Sequence, residues 1–326
     1  MLQYIIALVL SLALMLLLTP RLRKLAIRLD YQEKPKADEE RKIHTEAKPY
    51  LAGLGIFLTF WVCYFLILRD FSMKSWLLLL GSTMIFGVGM LDDWFKIKGR
   101  DLKALPKFLV QLAASVLIYY AGVRFFGFTN VFNGSYILLP AWLQFTLTIT
   151  WLVGVTTVIN FMDGMDGLAG GLSCISAGTL FVVALAKGST YSAVMGIVLV
   201  GICLGYLKYN KFPAKILMGD AGATFLGFML AIISLDGAFK QATLISIFVP
   251  VLALGLPIFD NIFVVLKRMK NRKPIYVGDT SQIHYRLLSK GMTQKQVVMF
   301  LYLISLSLNL LAIIIFMAQS YTPGLA

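Results

Sequence analysis

Apolar residues along this chain fall in long blocks broken by short polar stretches, not in the alternating or narrow-striped patterns of a water-soluble domain. A block of roughly 17–25 apolar residues is the length an α-helix needs to cross the hydrocarbon core of a bilayer, where backbone polar groups must find partners within the protein. Taken in order, the blocks predict ten spans, near residues 2–19, 51–68, 75–91, 105–121, 140–159, 168–187, 191–207, 215–235, 241–266 and 296–318. The first begins almost at Met1, has no basic residues before it and several after it, and lacks a small-residue cleavage site, so it reads as a retained span and not a cleaved signal. The ninth contains Pro250 and Pro257, which predict a bend, and Asp260, which is either a functional intramembrane acid or a brace for that bend. Between the fourth and fifth spans, "VFNGSYI" places Asn-Gly among aromatic and β-branched residues, the signature of a small β-hairpin. The expected fold is an all-α integral membrane protein of about ten transmembrane helices, with residues 1–326 forming one polytopic domain.

Composition agrees: 59% of residues are hydrophobic and 14% charged, with a mean hydropathy of +0.80. The net charge of +14 admits two partners, nucleic acid and a membrane surface. The distribution decides between them. Twenty-five of the 30 Lys and Arg residues fall in the segments 20–50, 92–104, 160–167, 208–214 and 267–295 or at the span ends beside them, which alternate with segments carrying Arg69, Lys74, Arg124, Lys187 and Lys240. Basic loops stay in the cytoplasm. The lipid bilayer is therefore the partner, no nucleic acid is expected, and ten spans put both termini outside. Cys63, Cys174 and Cys203 lie inside apolar runs without a metal-ligand spacing and read as free thiols.

Acidic residues follow the same asymmetry, with only Asp70 and Asp236 on the outer side. Orientation does not require this, because acids contribute little to it; a site on the cytoplasmic face does. "LDDWFKIKG" ends the third span with Asp92 and Asp93, adjacent carboxylates that repel each other unless a cation such as Lys96, Lys98 or a divalent metal lies between them. "NFMDGMDGLAGG" carries Asn160, Asp163 and Asp166 three apart, a spacing that lines one helical face, with glycines that would let a ligand approach the backbone; a polar turn between spans accounts for only part of this. "NKFPAKILMGDAG" supplies Lys211 and Lys215 and puts Asp220 at the start of the eighth span, as an N-cap or a metal ligand. The last inner segment contributes Asp279, His284 and Arg286, and the first contributes His44; imidazole and guanidinium together suit a pyrophosphate. Acids ringed by cations suit phosphoryl transfer, in which positioning and charge neutralisation do most of the catalysis, and no P-loop sequence is present.

In this order, "RKIHTEAKPYLAG", "LDDWFKIKG", "NFMDGMDGLAGG", "NKFPAKILMGDAG" and "GDTSQIHYRLL" resemble the polyprenyl-phosphate N-acetylhexosamine-1-phosphate transferases over nearly the whole chain. The resemblance implies that Asp92, Asp93 and Lys107 match the family's aspartate pair and the lysine after it, with His284 joining them as a catalytic residue. Asn160, Asp163, Asp166 and Asn210 match its substrate-binding elements, Asp166 towards the uracil. Leu217 falls where one branch has a uridine-stacking aromatic, and Arg286 and His44 are expected phosphate contacts. Asp220, with Asp93, is implied as the ligand of Mg²⁺, Mn²⁺ being the alternative ion. Two departures bear on the sugar: a His-x-His-His element reads Gln282, His284 and Tyr285, and a Pro-Arg-Leu-Gly-Gly element reads Pro49 to Gly53 with Tyr50 and Ala52.

The implied reaction moves GlcNAc-1-phosphate, or a similar N-acetylhexosamine-1-phosphate, from a UDP-sugar to polyprenyl phosphate in the inner leaflet of a bacterial-type cytoplasmic membrane, releasing UMP as the first membrane step of a cell-envelope glycan. A homodimer is compatible with the sequence. Two rival expectations stand beside it: the phospho-MurNAc-pentapeptide translocase, whose three-His run and Gly-Thr-Pro-Thr-Met-Gly-Gly element are absent, and a cation-coupled secondary transporter, which predicts acids near the bilayer midplane and an internal repeat.

Overall fold

The computed structural model describes residues 1–33, 47–100, 102–130, 135–238, 248–272 and 281–320. They form helices α1 (Leu2–Arg28), α2 (Ala52–Leu68), α3 (Met73–Ile97), α4 (Ala104–Tyr120), α5 (Ala141–Phe161), α6 (Leu168–Ala186), α7 (Thr190–Asn210), α8 (Gly219–Ile233), α9 (Phe248–Ala253), α10 (Gly255–Lys270), α11 (Ile283–Ser289) and α12 (Gln294–Ser320). A π-turn at Ser234–Ala238 continues α8. Among the described residues, seven helical segments are long and apolar enough to cross a membrane, and α2 and α4 are shorter apolar helices that coincide with the second and fourth expected spans. The all-α membrane class follows from this.

Each helix buries the face its sequence allows. In α1 the buried residues are Tyr4, Ala7, Ser11, Met15, Thr19, Leu22 and Ala26, three or four apart along one stripe, while Ile5, Ile6, Val9 and Leu17 stay exposed to the apolar surroundings. The Ser11 and Thr19 hydroxyls on that stripe donate to the carbonyls of Ala7 and Met15, both at 2.7 Å, so neither polar group is left unpaired. By contrast α8 is buried on every side from Ala221 to Ile233. It is the central helix, packed against α2, α3, α5, α6 and α7, with α1 beyond α7 and α12 against α6 and α9.

The ninth expected span is broken in two. Pro257 has no N–H for the carbonyl of Ala253, four residues earlier, and the helix stops at Leu254. Two neighbours satisfy the freed carbonyl: Ser176 Oγ donates to it at 2.6 Å from α6, and Asn309 Nδ2 at 3.2 Å from α12. This is how a membrane bundle tolerates an interrupted helix.

Two small antiparallel sheets complete the fold. β1 (Gln32–Glu33) pairs with β2 (Lys48–Pro49), and β3 (Gly127–Thr129) pairs with β4 (Tyr136–Leu138) in the register Phe128 to Ile137. The second is the expected hairpin between the fourth and fifth spans. Its Asn133-Gly134 lies outside the described residues. Because successive helices run up and down, the ends of α1, α3, α5, α7 and α10 and the starts of α2, α4, α6, α8 and α12 meet at one end of the bundle. The other end holds the hairpin and an ion pair of Lys74 with Asp236 at 2.9 Å.

Candidate active site

The site is assembled where α8 begins. Gly89 of α3 lies against it so closely that a Cβ there would meet Ala221 Cα at 2.5 Å. Only glycine permits that approach, and it brings the last turns of α3 beside the unpaired N–H groups of the first turn of α8. Asp93 answers them. Its Oδ1 accepts from Asp220 N at 2.8 Å and its Oδ2 from Ala221 N at 3.1 Å, and the carboxylate is fully buried. Gly219, at φ +69°, leaves the space that Asp93 fills, since a Cβ there would lie 2.4 Å from Asp93 Oδ2. Asp93 is therefore an N-terminal cap supplied from another helix, with both oxygens engaged.

Asp92 and Asp220 are placed otherwise. Asp92 is fully buried, and Asp220 emerges from the first turn of α8. Lys96 Nζ bridges them, 3.0 Å from Asp92 Oδ2 and 2.7 Å from Asp220 Oδ1. Lys107, from the first turn of α4, lies 2.5 Å from Asp92 Oδ2 and 3.8 Å from Asp220 Oδ2. Asp92 Oδ1 is buried and has no hydrogen-bond partner, which is costly for a carboxylate unless a cation or donor arrives.

Opposite them lies the turn 162–167. Asn160 is half-buried at the end of α5, and its carbonyl accepts from Asp163 N at 3.1 Å. Asp163 is half-buried; burial and the negative charges of Asp220, Asp93 and Glu33 push its carboxyl well above the usual range, with Lys96 opposing. Asp166 is buried and occupied: Lys48 Nζ donates to its two oxygens at 3.0 and 3.3 Å, and Ala214 N donates to Oδ2 at 2.8 Å. Asn210, at the end of α7, accepts from Gly167 N at 2.8 Å and donates to Ile216 O at 3.0 Å, tying the 160s turn to the segment before α8. The main chain of Leu217 is zipped to the first inner segment, donating to Pro49 O at 2.8 Å and accepting from Ala52 N at 3.1 Å. That zipper sets Tyr50 at the edge of the acid group, where burial and then Glu33, Asp93, Asp220 and Asp163 raise its hydroxyl pKa.

The third wall is α11. Asp260, within α10, accepts from Ile283 N at 2.9 and 3.1 Å and pairs with Arg286 at 3.2 Å. Asp260 is thus a brace that caps α11 and holds it on the bent helix. Arg286, expected as a phosphate contact, lies instead over the Phe263 ring, 4.1 Å from its centroid, with its charge answered by Asp260. His284 is fully buried with neither ring nitrogen hydrogen-bonded, and it packs on Gly164, where a Cβ would meet Nε2 at 2.4 Å. Burial lowers its pKa to about 4, so it is neutral at pH 7. His44 and Asp279 lie outside the described residues.

The structure therefore gathers Asp92, Asp93, Asp220, Lys107, Asp163 and Lys96 at one point, with Asn160, Asp166, Asn210, Leu217 and His284 forming the frame around it. The glycines after Asp163, read as room for a ligand, are filled by protein: Gly164 by His284, and Gly170 and Gly171 by Tyr206 and Tyr302. Lys48 and Glu33 were not singled out from the sequence; their segment joins the site through the zipper to Leu217 and the Lys48–Asp166 ion pair. Among the described residues no group of three or more His, Cys, Asp or Glu gathers as a metal cage. Asp92 and Asp220 nevertheless fit Mg²⁺, which is commonly held by one or two carboxylates and completed by substrate phosphates. Asp92 Oδ1, buried and unpartnered, is the oxygen such an ion would satisfy.

Several known proteins resemble this chain. A probable undecaprenyl-phosphate N-acetylglucosaminyl 1-phosphate transferase of Bacillus subtilis (strain 168) is 36% identical over 317 residues, 97% of this chain and 86% of that protein. The decaprenyl-phosphate N-acetylglucosaminephosphotransferase of Mycobacterium tuberculosis (strain ATCC 25618 / H37Rv) is 31% identical over 87% of this chain and 76% of that protein. A phospho-N-acetylmuramoyl-pentapeptide-transferase of Listeria monocytogenes serotype 4b (strain F2365) is 34% identical over a shorter stretch, 61% of this chain and 64% of that protein. The model of Glycosyl transferase family 4 matches residues 75–238, which contain Asp92, Asp93, Lys107, Asp163 and Asp220, and this chain belongs to that family.

Proposed function

We propose that this protein transfers GlcNAc-1-phosphate, or a close N-acetylhexosamine-1-phosphate, from a UDP-sugar to polyprenyl phosphate and releases UMP. One observation carries the reading: two lysines, Lys96 and Lys107, hold Asp92 and Asp220 together at the mouth of the central helix, in a chain whose relatives over most of its length are named for this transfer. An oxygen of the lipid phosphate attacks the β-phosphorus of the UDP-sugar. The bond from that phosphorus to the bridging oxygen breaks, and the oxygen leaves with UMP. The attacking phosphate is already ionised at neutral pH, so no side chain is needed as base. Lys96 and Lys107 answer the negative charge on the phosphates, and Asp93 keeps α8 in register so that Asp220 faces Asp92. A bound Mg²⁺, or Mn²⁺, would supply Lewis-acid neutralisation of the diphosphate, held by Asp92 and Asp220. The turn carrying Asn160, Asp163 and Asp166 is the nucleotide side of the site. His284 serves it as a neutral packing partner, not as a cation.

The carboxylates of this group lie at helix ends, not at mid-helix, which disfavours the transporter reading. The charge asymmetry supports an orientation with this end of the bundle in the cytoplasm and both termini outside. Single cysteines at Ser281 and Tyr136, in a background lacking Cys63, Cys174 and Cys203, should label from opposite sides; labelling from one side would sink that orientation. The reaction is tested with purified protein and polyprenyl phosphate. UDP-GlcNAc should give UMP and lipid-linked sugar, whereas UDP-MurNAc-pentapeptide should give none. Turnover of the pentapeptide substrate alone would move the protein to the translocase branch, and absence of UMP from either would end the transferase reading.

A further inference from the structure

The last helix reaches into the site through one hydroxyl. α12 is mostly a lipid-facing helix, with Leu303, Leu306, Leu310, Leu311 and Ile314 exposed. Its inward stripe is Tyr302, Ser305 and Asn309, spaced three and four apart. Asn309 braces the broken helix at Ala253. Tyr302 Oη donates to Gly167 O at 2.5 Å. The amide of the same residue donates to Asn210 Oδ1 at 2.8 Å. Both main-chain polar groups of Gly167, at φ +82°, are thus held by side chains 135 and 43 residues away. Gly171, one turn on in α6, makes room: a Cβ there would lie 2.0 Å from the Tyr302 ring. Nothing else described donates to the Gly167 carbonyl except the first-turn amide of Gly171, at 2.9 Å.

We propose that Tyr302 is a positioning residue, whose hydroxyl bond to Gly167 sets the turn 162–167 and so the approach of Asp163 and Asp166 to the nucleotide. It touches none of Asp92, Asp220, Lys96 and Lys107, so it acts through the turn alone. The proposal rests on the reading of this turn as the nucleotide side of a transferase site.

The test is Tyr302→Phe in the full-length, detergent-solubilised protein, which keeps the ring and removes the hydroxyl. Amide hydrogen exchange should quicken roughly ten-fold in residues 163–168, as the loss of about one net hydrogen bond implies, while α3 and the rest of α6 stay at parental rates. KM for UDP-GlcNAc should rise by a similar factor, with kcat within about two-fold, because the reacting phosphates still meet the same lysines. Parental exchange in 163–168 would overturn the proposal. So would faster exchange spread evenly over the bundle, or a local rise in exchange with KM unchanged. If the parent turns over no UDP-sugar, the transferase reading fails, while the exchange comparison still decides whether the hydroxyl sets the turn.

Discussion

Lys96 Nζ lies 2.7 Å from Asp220 Oδ1, joining residues 124 positions apart in sequence, while the same ammonium is 3.0 Å from Asp92 Oδ2. A single cation thus ties α3 to α8 at the point where two carboxylates would otherwise repel. Removing one partner of a buried charge group leaves the rest uncompensated, which typically costs more than the pair contributed. Lys96→Met should therefore lower the thermal stability of the protein in EDTA by on the order of 2 kcal/mol. If Asp92 and Asp220 hold a divalent ion, added Mg²⁺ should recover more of that loss in the variant than it adds to the parent. Equal Mg²⁺ effects on both proteins would argue against these carboxylates as the metal site.

The adjacent aspartates should separate by role. Asp92→Asn and Asp220→Asn are expected to purify folded and to lose turnover by roughly a hundred- to a thousand-fold, the scale of a lost charge-stabilising contact. Asp93→Ala removes the cap on Asp220 N and Ala221 N, and should lower stability by about 0.5–2 kcal/mol, with activity lost as a consequence. At the opposite end Asp236 is paired with Lys74 and accepts from Ser192 Oγ at 2.9 Å. Asp236→Asn is thus expected to change stability but not KM or kcat. Thermal unfolding and steady-state kinetics on the four variants check the pattern; an Asp93 variant of parental stability and no activity would return Asp93 to the chemistry.

His284 gives a pH dependence. Its folded pKa, about 4, lies below the unfolded value near 6.5 because burial disfavours the imidazolium. The neutral ring is what the fold accommodates, so its contribution is fully present above about pH 6.5 and is lost as pH falls from there through about 4, by on the order of 3 kcal/mol. The stability difference between the parent and His284→Gln should shrink over that window and stay constant between pH 7 and 8. A difference that instead grows on acidification would mean that the imidazolium is the form the fold favours.

What the sequence determined by itself is whatever local chain physics decides. Block length located the helices, since a backbone crossing lipid has few alternatives to helix. Pro250 and Pro257 predicted a bend in the ninth span; the structure goes further, to a break at Leu254, where Pro257 removes a hydrogen bond in its own helix. The Asn-Gly signal marked the hairpin for an equally local reason. The motifs also picked out residues that the fold brings together: Asp92, Lys107, Asp163 and Asp220 converge.

Their division of labour came only from the tertiary structure. Asp93 and Asp92 are neighbours with identical side chains; which one caps α8 depends on where the helix start falls, 127 residues later, and on the space at Gly89 and Gly219. Arg286 carries the charge of a phosphate contact, yet Asp260 claims it, and that pairing depends on how the bent α10 meets α11. The glycines after Asp163 looked like room for a ligand because a sequence shows a missing side chain without showing what fills the space; here it is His284, Tyr206 and Tyr302. Hydrogen bonds and charge pairs are short-range and directional, so at these distances along the chain they are settled by packing, not by local pattern.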